Sequence, residues 1–291
     1  MYDRILVPTD GSDVAETAAE AALTLANRFD ADLHVVHVLD VGDLPPWVED
    51  EDADEFATRG RDALTTVATM ADEANVEVTT KFIESTEPIH RAILQYADEH
   101  DVDCIVMGTF GRTGLDRFVL GSIAEQTLRE SPVPVLTVHG ETTFEQDFDD
   151  ILVPTDGSDS AEAAAAHAID LALATDATLH IVHAVDPGIA WDEMNAGVVL
   201  DALEAAGKRA LDAVIEDAET AGVSGIESAV VSGAPHRAIT EYADDRDVDC
   251  IVMGTHGRTG IDRYLLGSVT ERVVRLADAP VLALKSDETA D

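Results

Sequence analysis

Lysine is nearly missing from this chain: three in 291 residues (Lys81, Lys208 and Lys285), with 18 lysines and arginines together facing 59 aspartates and glutamates. A formal net charge of −41 excludes a nucleic-acid partner, whose phosphates need a basic stripe, and an anionic membrane surface. Long hydrophobic runs are also missing. Nothing approaches membrane-spanning length, and Met1-Tyr2-Asp3-Arg4 leads into an apolar strand without a signal-peptide pattern, so the expectation is a cytoplasmic protein. Only two cysteines occur, which excludes a disulfide framework. Cys104 and Cys250 sit in matching Cys-Ile-Val-Met runs and read as buried, inert thiols.

Hydrophobic residues make up 46% of the chain, so the acidity does not signal disorder and belongs on the surface of an ordinary fold. An acidic carpet with so little lysine resembles proteins of halophilic organisms. In molar salt the Debye length is about 3 Å, so self-repulsion is screened while carboxylates hold water. The expectation is a fold that loosens in dilute buffer, checked by melts in low and high KCl.

The chain says the same thing twice, 146 residues apart. Ile5-Leu-Val-Pro-Thr-Asp-Gly-Ser-Asp13 returns as Ile151 to Asp159, and Asp101-Val-Asp-Cys-Ile-Val-Met-Gly-Thr-Phe-Gly-Arg returns from Asp247 with His256 in place of Phe110. A self-match of this length means two complete domains, expected at 1–140 and 150–286 with a polar linker over 139–149. In each half, short apolar runs alternate with helical patterns. The first half predicts strands over 4–7, 33–39, 76–83, 104–107 and 133–138, with helices over 13–29, 55–74, 87–99 and 122–129. Asp13 is the expected helix opening, and 40–55 the expected loop. Strict alternation gives an α/β fold: two tandem doubly wound domains, each a five-stranded parallel sheet with helices on both faces. With strand order 3-2-1-4-5, the ligand crevice lies beyond the carboxyl ends of strands 1 and 4. Pro-Thr-Asp-Gly-Ser and Met-Gly-Thr-x-Gly-Arg, the two most strongly repeated motifs, follow those strands.

Gly108-Thr-Phe-Gly111, nine residues, then Gly121-Ser122 is mirrored by Gly254-Thr-His-Gly257, nine residues, then Gly267-Ser268. Bare glycine amides approach anions closely, and a helix opening at Ser122 or Ser268 favours phosphate. No G-x-x-x-x-G-K-[ST] loop is present, and no G-x-G-x-x-G follows strand 1. These motifs resemble the universal stress protein family, specifically its ATP-binding branch, over both halves nearly end to end. The resemblance implies an adenine nucleotide, ATP with Mg, in each domain. Pro8, Thr9, Asp10 and Pro154, Thr155, Asp156 would lie by the ribose, with Val38 and Ala184 contacting adenine through their backbones. Met107, Gly108, Gly111, Gly121, Ser122 and Met253, Gly254, Gly257, Gly267, Ser268 would surround ribose and phosphates, and Arg112 and Arg258 could meet a phosphate. It also implies pairing through strand 5, which a tandem chain can satisfy as an intrachain pseudo-dimer or extend to a homodimer. A regulatory protein partner is expected, its identity unknown.

Plainer readings stand beside these. Asp10 and Asp156 sit in turns where Asp bonds its own backbone, Ser122 and Ser268 suit N-caps, and Arg117 and Arg263 suit local carboxylates. His34 and His37, like His180 and His183, fall on opposite strand faces and do not make a metal pair. His90 and His236 read as cap or surface residues, and Trp47 and Trp191 as loop packing. No catalytic lysine, in-line base or His-paired nucleophile stands out, so no catalytic residue is assigned, although slow hydrolysis stays open. The expected function is a nucleotide-dependent stress-response or regulatory switch. The alternatives are an adaptor or chaperone-like protein binding AMP, cyclic AMP or nothing, and, against the loop sequence, an adenylyl-transferring enzyme.

Overall fold

The computed structural model of the chain describes residues 1–42, 50–110, 120–140, 142, 148–189, 196–257 and 266–286. The expectations for Trp47, Gly111, Arg112, Arg117, Trp191, Arg258 and Arg263, and for most of the linker, lie outside these residues. Backbone contacts divide the chain into two compact units, residues 2–146 and 147–291.

The first unit runs β1 (Arg4–Pro8), α1 (Asp13–Phe29), β2 (Asp32–Asp40), α2 (Asp50–Ala74), β3 (Val78–Ser85), α3 (Ile89–Glu99), β4 (Cys104–Gly108), α4 (Ser122–Glu130) and β5 (Val135–Val138). Its strands are parallel and ordered β3-β2-β1-β4-β5. The second unit runs β6 (Asp150–Pro154), α5 (Asp159–Thr175), β7 (Thr178–Val185), α6 (Ala196–Ala221), β8 (Gly225–Ser232), α7 (Pro235–Asp245), β9 (Cys250–Gly254), α8 (Ser268–Leu276) and β10 (Val281–Leu284). Its strands are likewise parallel, in the order β8-β7-β6-β9-β10. Both are the doubly wound α/β arrangement expected from the alternation.

Burial explains the composition of the strands. Ile5, Leu6 and Val7 of β1 are fully buried, as are Ile151, Leu152 and Val153 of β6, because helices cover both faces. The alanine-rich helix α1 buries Ala15, Ala18, Ala22 and Ala26, and these short side chains let it lie close on the sheet. Its N-cap is Ser12, whose hydroxyl accepts from the Ala15 amide at 3.3 Å; the expected opening residue, Asp13, is the first residue inside the helix. Asp30 closes α1 in the left-handed conformation (φ 55).

The repeated Asp-Val-Asp has a structural task. Asp103 Oδ2 accepts from the amides of Asp3 and Arg4, both at 2.8 Å, and Asp249 does the same for Asp149 and Asp150. Each carboxylate thus satisfies two amides that no strand partner takes at the start of the central strand. Cys104 and Cys250 are buried in β4 and β9, and burial pushes the Cys250 thiol up to about 12, as an inert thiol requires.

Helix α2 begins at Asp50, five residues before the predicted start, inside the acidic stretch read as loop. Acidic residues at a helix start are favoured by its dipole, so the composition that suggests a loop here opens a helix. The 146-residue offset also hides two compensating changes. His37 matches His183, but Gly60 matches Gly207, one residue further on; the register returns where Thr86-Glu87-Pro88 is replaced by the shorter Gly233-Ala234. Gly233 (φ 141) makes the tighter turn into α7, a conformation L side chains rarely adopt.

Candidate functional site

Two loops meet at the carboxyl ends of β1 and β4 in the first unit. After β1, the Thr9 amide donates to Val36 O (2.9 Å), and Thr9 Oγ1 accepts from the Gly11 amide (3.1 Å). Asp10 Oδ1 accepts from both the amide (3.0 Å) and hydroxyl (2.6 Å) of Ser12. The loop is therefore a self-bonded Asx turn, with Gly11 at φ 74 providing the left-handed step. Asp10 bonds its own backbone, as the plainer reading held, and the same carboxylate lines the crevice.

After β4, Thr109 ties three elements together. Its amide donates to Val138 O at the end of β5 (2.9 Å), and its carbonyl accepts from the Gly121 amide at the start of α4 (2.7 Å). Its buried hydroxyl lies 2.9 Å from His139 Nδ1. The chain thus leaves Thr109 and returns to it, which gives the Gly-x2-Gly-x9-Gly spacing a mechanical meaning. Gly121 is the N-cap of α4 and supplies no side-chain bond, so Ser122 is not a cap but the first helical residue. The first intrahelical bond closes from the Glu125 amide to Gly121 O (2.9 Å), so the amides of Ser122, Ile123 and Ala124 precede it at the crevice.

Between the loops lies a cavity of about 320 Å³. Thr9, Asp10 and Ser12 form one side, Gly108, Thr109 and the α4 start another; Val36, Val38, Ile89, Ile93 and Phe110 make apolar walls. The predicted residues Pro8, Thr9, Asp10, Val38, Met107, Gly108, Gly121 and Ser122 all line it. Sequence reasoning missed Ile89 and Ile93, whose four-residue spacing on α3 was the available signal, and Thr109, which sits inside the repeated Met-Gly-Thr.

Gly108 and Gly121 each have a packing or bonding task within the fold. A Cβ on Gly108 would lie 2.7 Å from Val14 Cγ1, so Gly108 is small because α1 rests on it. Gly121 spends its amide on Thr109. Among the described residues, the amides of the first turn of α4 are donors at the crevice.

The second unit repeats this wiring nearly bond for bond. Asp156 Oδ1 accepts from Ser158 N and Oγ at 3.0 and 2.6 Å, Thr155 N donates to Val182 O (2.8 Å), and Gly267 N donates to Thr255 O (2.8 Å). Pro154 ends β6, Ala184 lies in β7 where Val38 lies in β2, and Met253 and Gly254 end β9. Gly267 caps α8 without a side-chain bond, leaving Ser268 as the first helical residue. Gly257 is packed on Asp156, where a Cβ would lie 2.9 Å from Oδ2.

The histidines sort by sheet face. His34 Nδ1 meets Tyr96 OH of α3 (2.9 Å), whereas His37 Nδ1 meets Thr9 O (2.8 Å) on the side of α2. Among the described residues no cluster of three or more His, Cys, Asp or Glu could hold a metal. His90 departs from its expected cap or surface role: it is buried, with Nε2 3.5 Å from Glu130 Oε2 of α4. Its counterpart His236 is half-buried, and burial, with Arg272 and Arg237 nearby, holds its pKa below the ordinary value.

The geometry can be set beside known proteins. The model of the universal stress protein family matches residues 1–139 and 147–285. A universal stress protein of Methanocaldococcus jannaschii is 39% identical over 142 residues, 47% of this chain and 82% of that protein. One from Mycobacterium tuberculosis is 28% identical over 97% of this chain and 96% of its own length. The crystal structure of a universal stress protein from Archaeoglobus fulgidus superposes with a TM-score of 0.75 at 23% identity, covering 99% of this chain and 98% of that one, which supports the fold.

Proposed function

The chain belongs to the universal stress protein family through both of its halves, and on that premise we propose that each unit binds an adenine nucleotide, ATP in the first instance, as a regulatory switch. The observation that carries this reading is the crevice between Asp10 and the uncapped start of α4. Its chemistry is divided. Unused amides and the helix dipole suit a polyphosphate, Asp10 suits a ribose hydroxyl, and Val36, Val38, Ile89 and Ile93 suit a planar base. ATP is named first because the Gly-x2-Gly-x9-Gly-Ser spacing resembles that of the family's ATP-binding branch; the glycines by themselves do not name the nucleotide.

Asp10 is the only carboxylate among the described residues lining the crevice. A Mg ion accompanying ATP would therefore draw most of its oxygens from phosphate and water, which is how this ion is commonly held. When bound, it would neutralise phosphate charge in a chain whose own net charge is −41. The residues present bind and orient: Asp10 and Thr9 fix the loop, and Thr109 fixes the helix start. A switch then follows from preferential binding to one conformation.

Native mass spectrometry in volatile salt tests this directly. Two ATP-sized adducts per chain are expected, together with a thermal shift on adding Mg-ATP in molar KCl. No adduct and no shift would favour the adaptor reading.

A further inference from the structure

We propose that His37 and His183 are positioning residues that hold the two Asx-turn loops at the crevices and link them to helices α2 and α6. The inference deepens the nucleotide-binding reading but stands on observations of its own. In the first unit His37 Nδ1 lies 2.8 Å from Thr9 O; in the second, His183 Nδ1 lies 2.7 Å from Thr155 O. A carbonyl only accepts, so Nδ1 carries the proton in both rings and the tautomer is set. Thr9 and Thr155 immediately precede Asp10 and Asp156, whose turns depend on the orientation of that peptide. The same threonines donate their amides to Val36 O and Val182 O, one residue before each histidine. Each loop is therefore tied to its neighbouring strand by a backbone bond and an imidazole bond.

The far side of each ring fills a notch in a helix. A Cβ on Gly60 would lie 2.3 Å from His37 Cδ2, and one on Gly207 would lie 2.3 Å from His183 Cδ2. Glycine inside a helix is less favourable than alanine, so its use at both places needs a reason, and the ring is that reason. The register change between His37/His183 and Gly60/Gly207 strengthens the point: one residue was added between them, yet the ring-into-notch contact is the same. Phe82 stacks on His37 at 5.5 Å between centroids, holding the ring from a third side in the first unit. A rigid ring bonded to the loop and seated in the helix transmits displacement of one to the other.

The test compares His37→Phe, which keeps a ring but no donor, with His37→Asn, which restores an N–H near the Nδ1 position; His183 is varied likewise. In ligand-free protein, amide exchange at Gly11 and Ser12 should accelerate in His37→Phe and return towards wild type in His37→Asn. Affinity of the first site for a fluorescent ATP analogue should fall about tenfold in His37→Phe, the size of one lost bond to a positioned loop. Ligand-induced protection of α2 should disappear with it. Unchanged exchange at Gly11 and Ser12 in His37→Phe, or an Asn variant no better than Phe, overturns the inference. A wild type that takes up no analogue overturns the nucleotide reading instead, and the ligand-free exchange still decides the role of the histidines.

Discussion

The first and second units share one wiring diagram, yet the surroundings of the glycine ending strand 4 differ. In the first, Gly108 faces the Val14 side chain, with the Val14 carbonyl oxygen 3.2 Å from the position of a Cβ; in the second, Gly254 faces Ser160, whose carbonyl oxygen is 2.6 Å away. The smaller serine lets α5 approach β9 more closely than α1 approaches β4. Two further replacements tighten the second unit. Thr270, where the first unit has Ala124, donates to Gly254 O at 2.7 Å, and the His256 amide donates to Ser160 Oγ at 3.4 Å. These polar groups spend their bonds inside the framework of the second unit.

The histidine beside the threonine hub makes the same point by another route. Thr109 Oγ1 meets His139, which follows β5, while Thr255 Oγ1 meets the adjacent His256; both contacts are 2.9 Å. Equivalent bonds are reached from different places in the chain, which indicates that the contact, and not the position, is what the fold requires.

The largest expected effect that would sharpen this comparison is from alanine at the two glycines. Gly254→Ala drives a methyl into backbone and should destabilise the second unit by about 3 kcal/mol, whereas Gly108→Ala meets chiefly the Val14 side chain, with backbone further off, and should cost the first less, about 2 kcal/mol. Urea melts followed by unit-resolved hydrogen exchange check this, and equal costs would break the comparison. Next, Thr270→Ala removes a buried bond that the first unit lacks and should cost about 1 kcal/mol, confined to the second unit. Ser12→Ala and Ser158→Ala should each cost about 1 kcal/mol and match one another, because their caps are the same; unequal values would show a difference that the bonds do not.

The smallest effect is in acid. Burial lowers the pKa of His34 in the first unit, helped by His100 and Arg4, and burial lowers that of His167 in the second. Folding therefore favours the neutral ring. The resulting stability is present above the ordinary value of 6.5 and is lost as pH falls through each lowered value. His167→Ala, at a position where the first unit has Ala21, should reduce the loss of the second unit between about pH 7 and 5, leaving the share due to His236, and leave the first unit unchanged.

Much of the fold was legible because its signals are local. Apolar runs such as Ile5–Val7 must be covered on both faces, and the alanine and leucine spacing over 13–29 marks α1, although its cap is Ser12 and not the expected Asp13. The start of α2 was not legible, since Asp50–Asp54 satisfies the composition of a loop and of a dipole-favoured helix start equally. At the site, Asp10, Met107 and Ser122 could be read from motif and spacing, whereas Ile89 and Ile93 reach the crevice only because α3 packs across β2.

The sequence alone determined the duplication, the doubly wound order of elements and the two loops that flank the crevice of the first unit, since each is written in a repeated motif or a short-range pattern. Tertiary structure decided what those residues do there: Gly108 and Gly254 make room for a helix, Gly121 and Gly267 spend their amides on a threonine carbonyl, and His37 and His183 join a loop to a helix notch. The reason is physical. A hydrogen-bond donor or a missing Cβ is a capacity, and only the neighbour brought to within about 3 Å by packing determines how it is used.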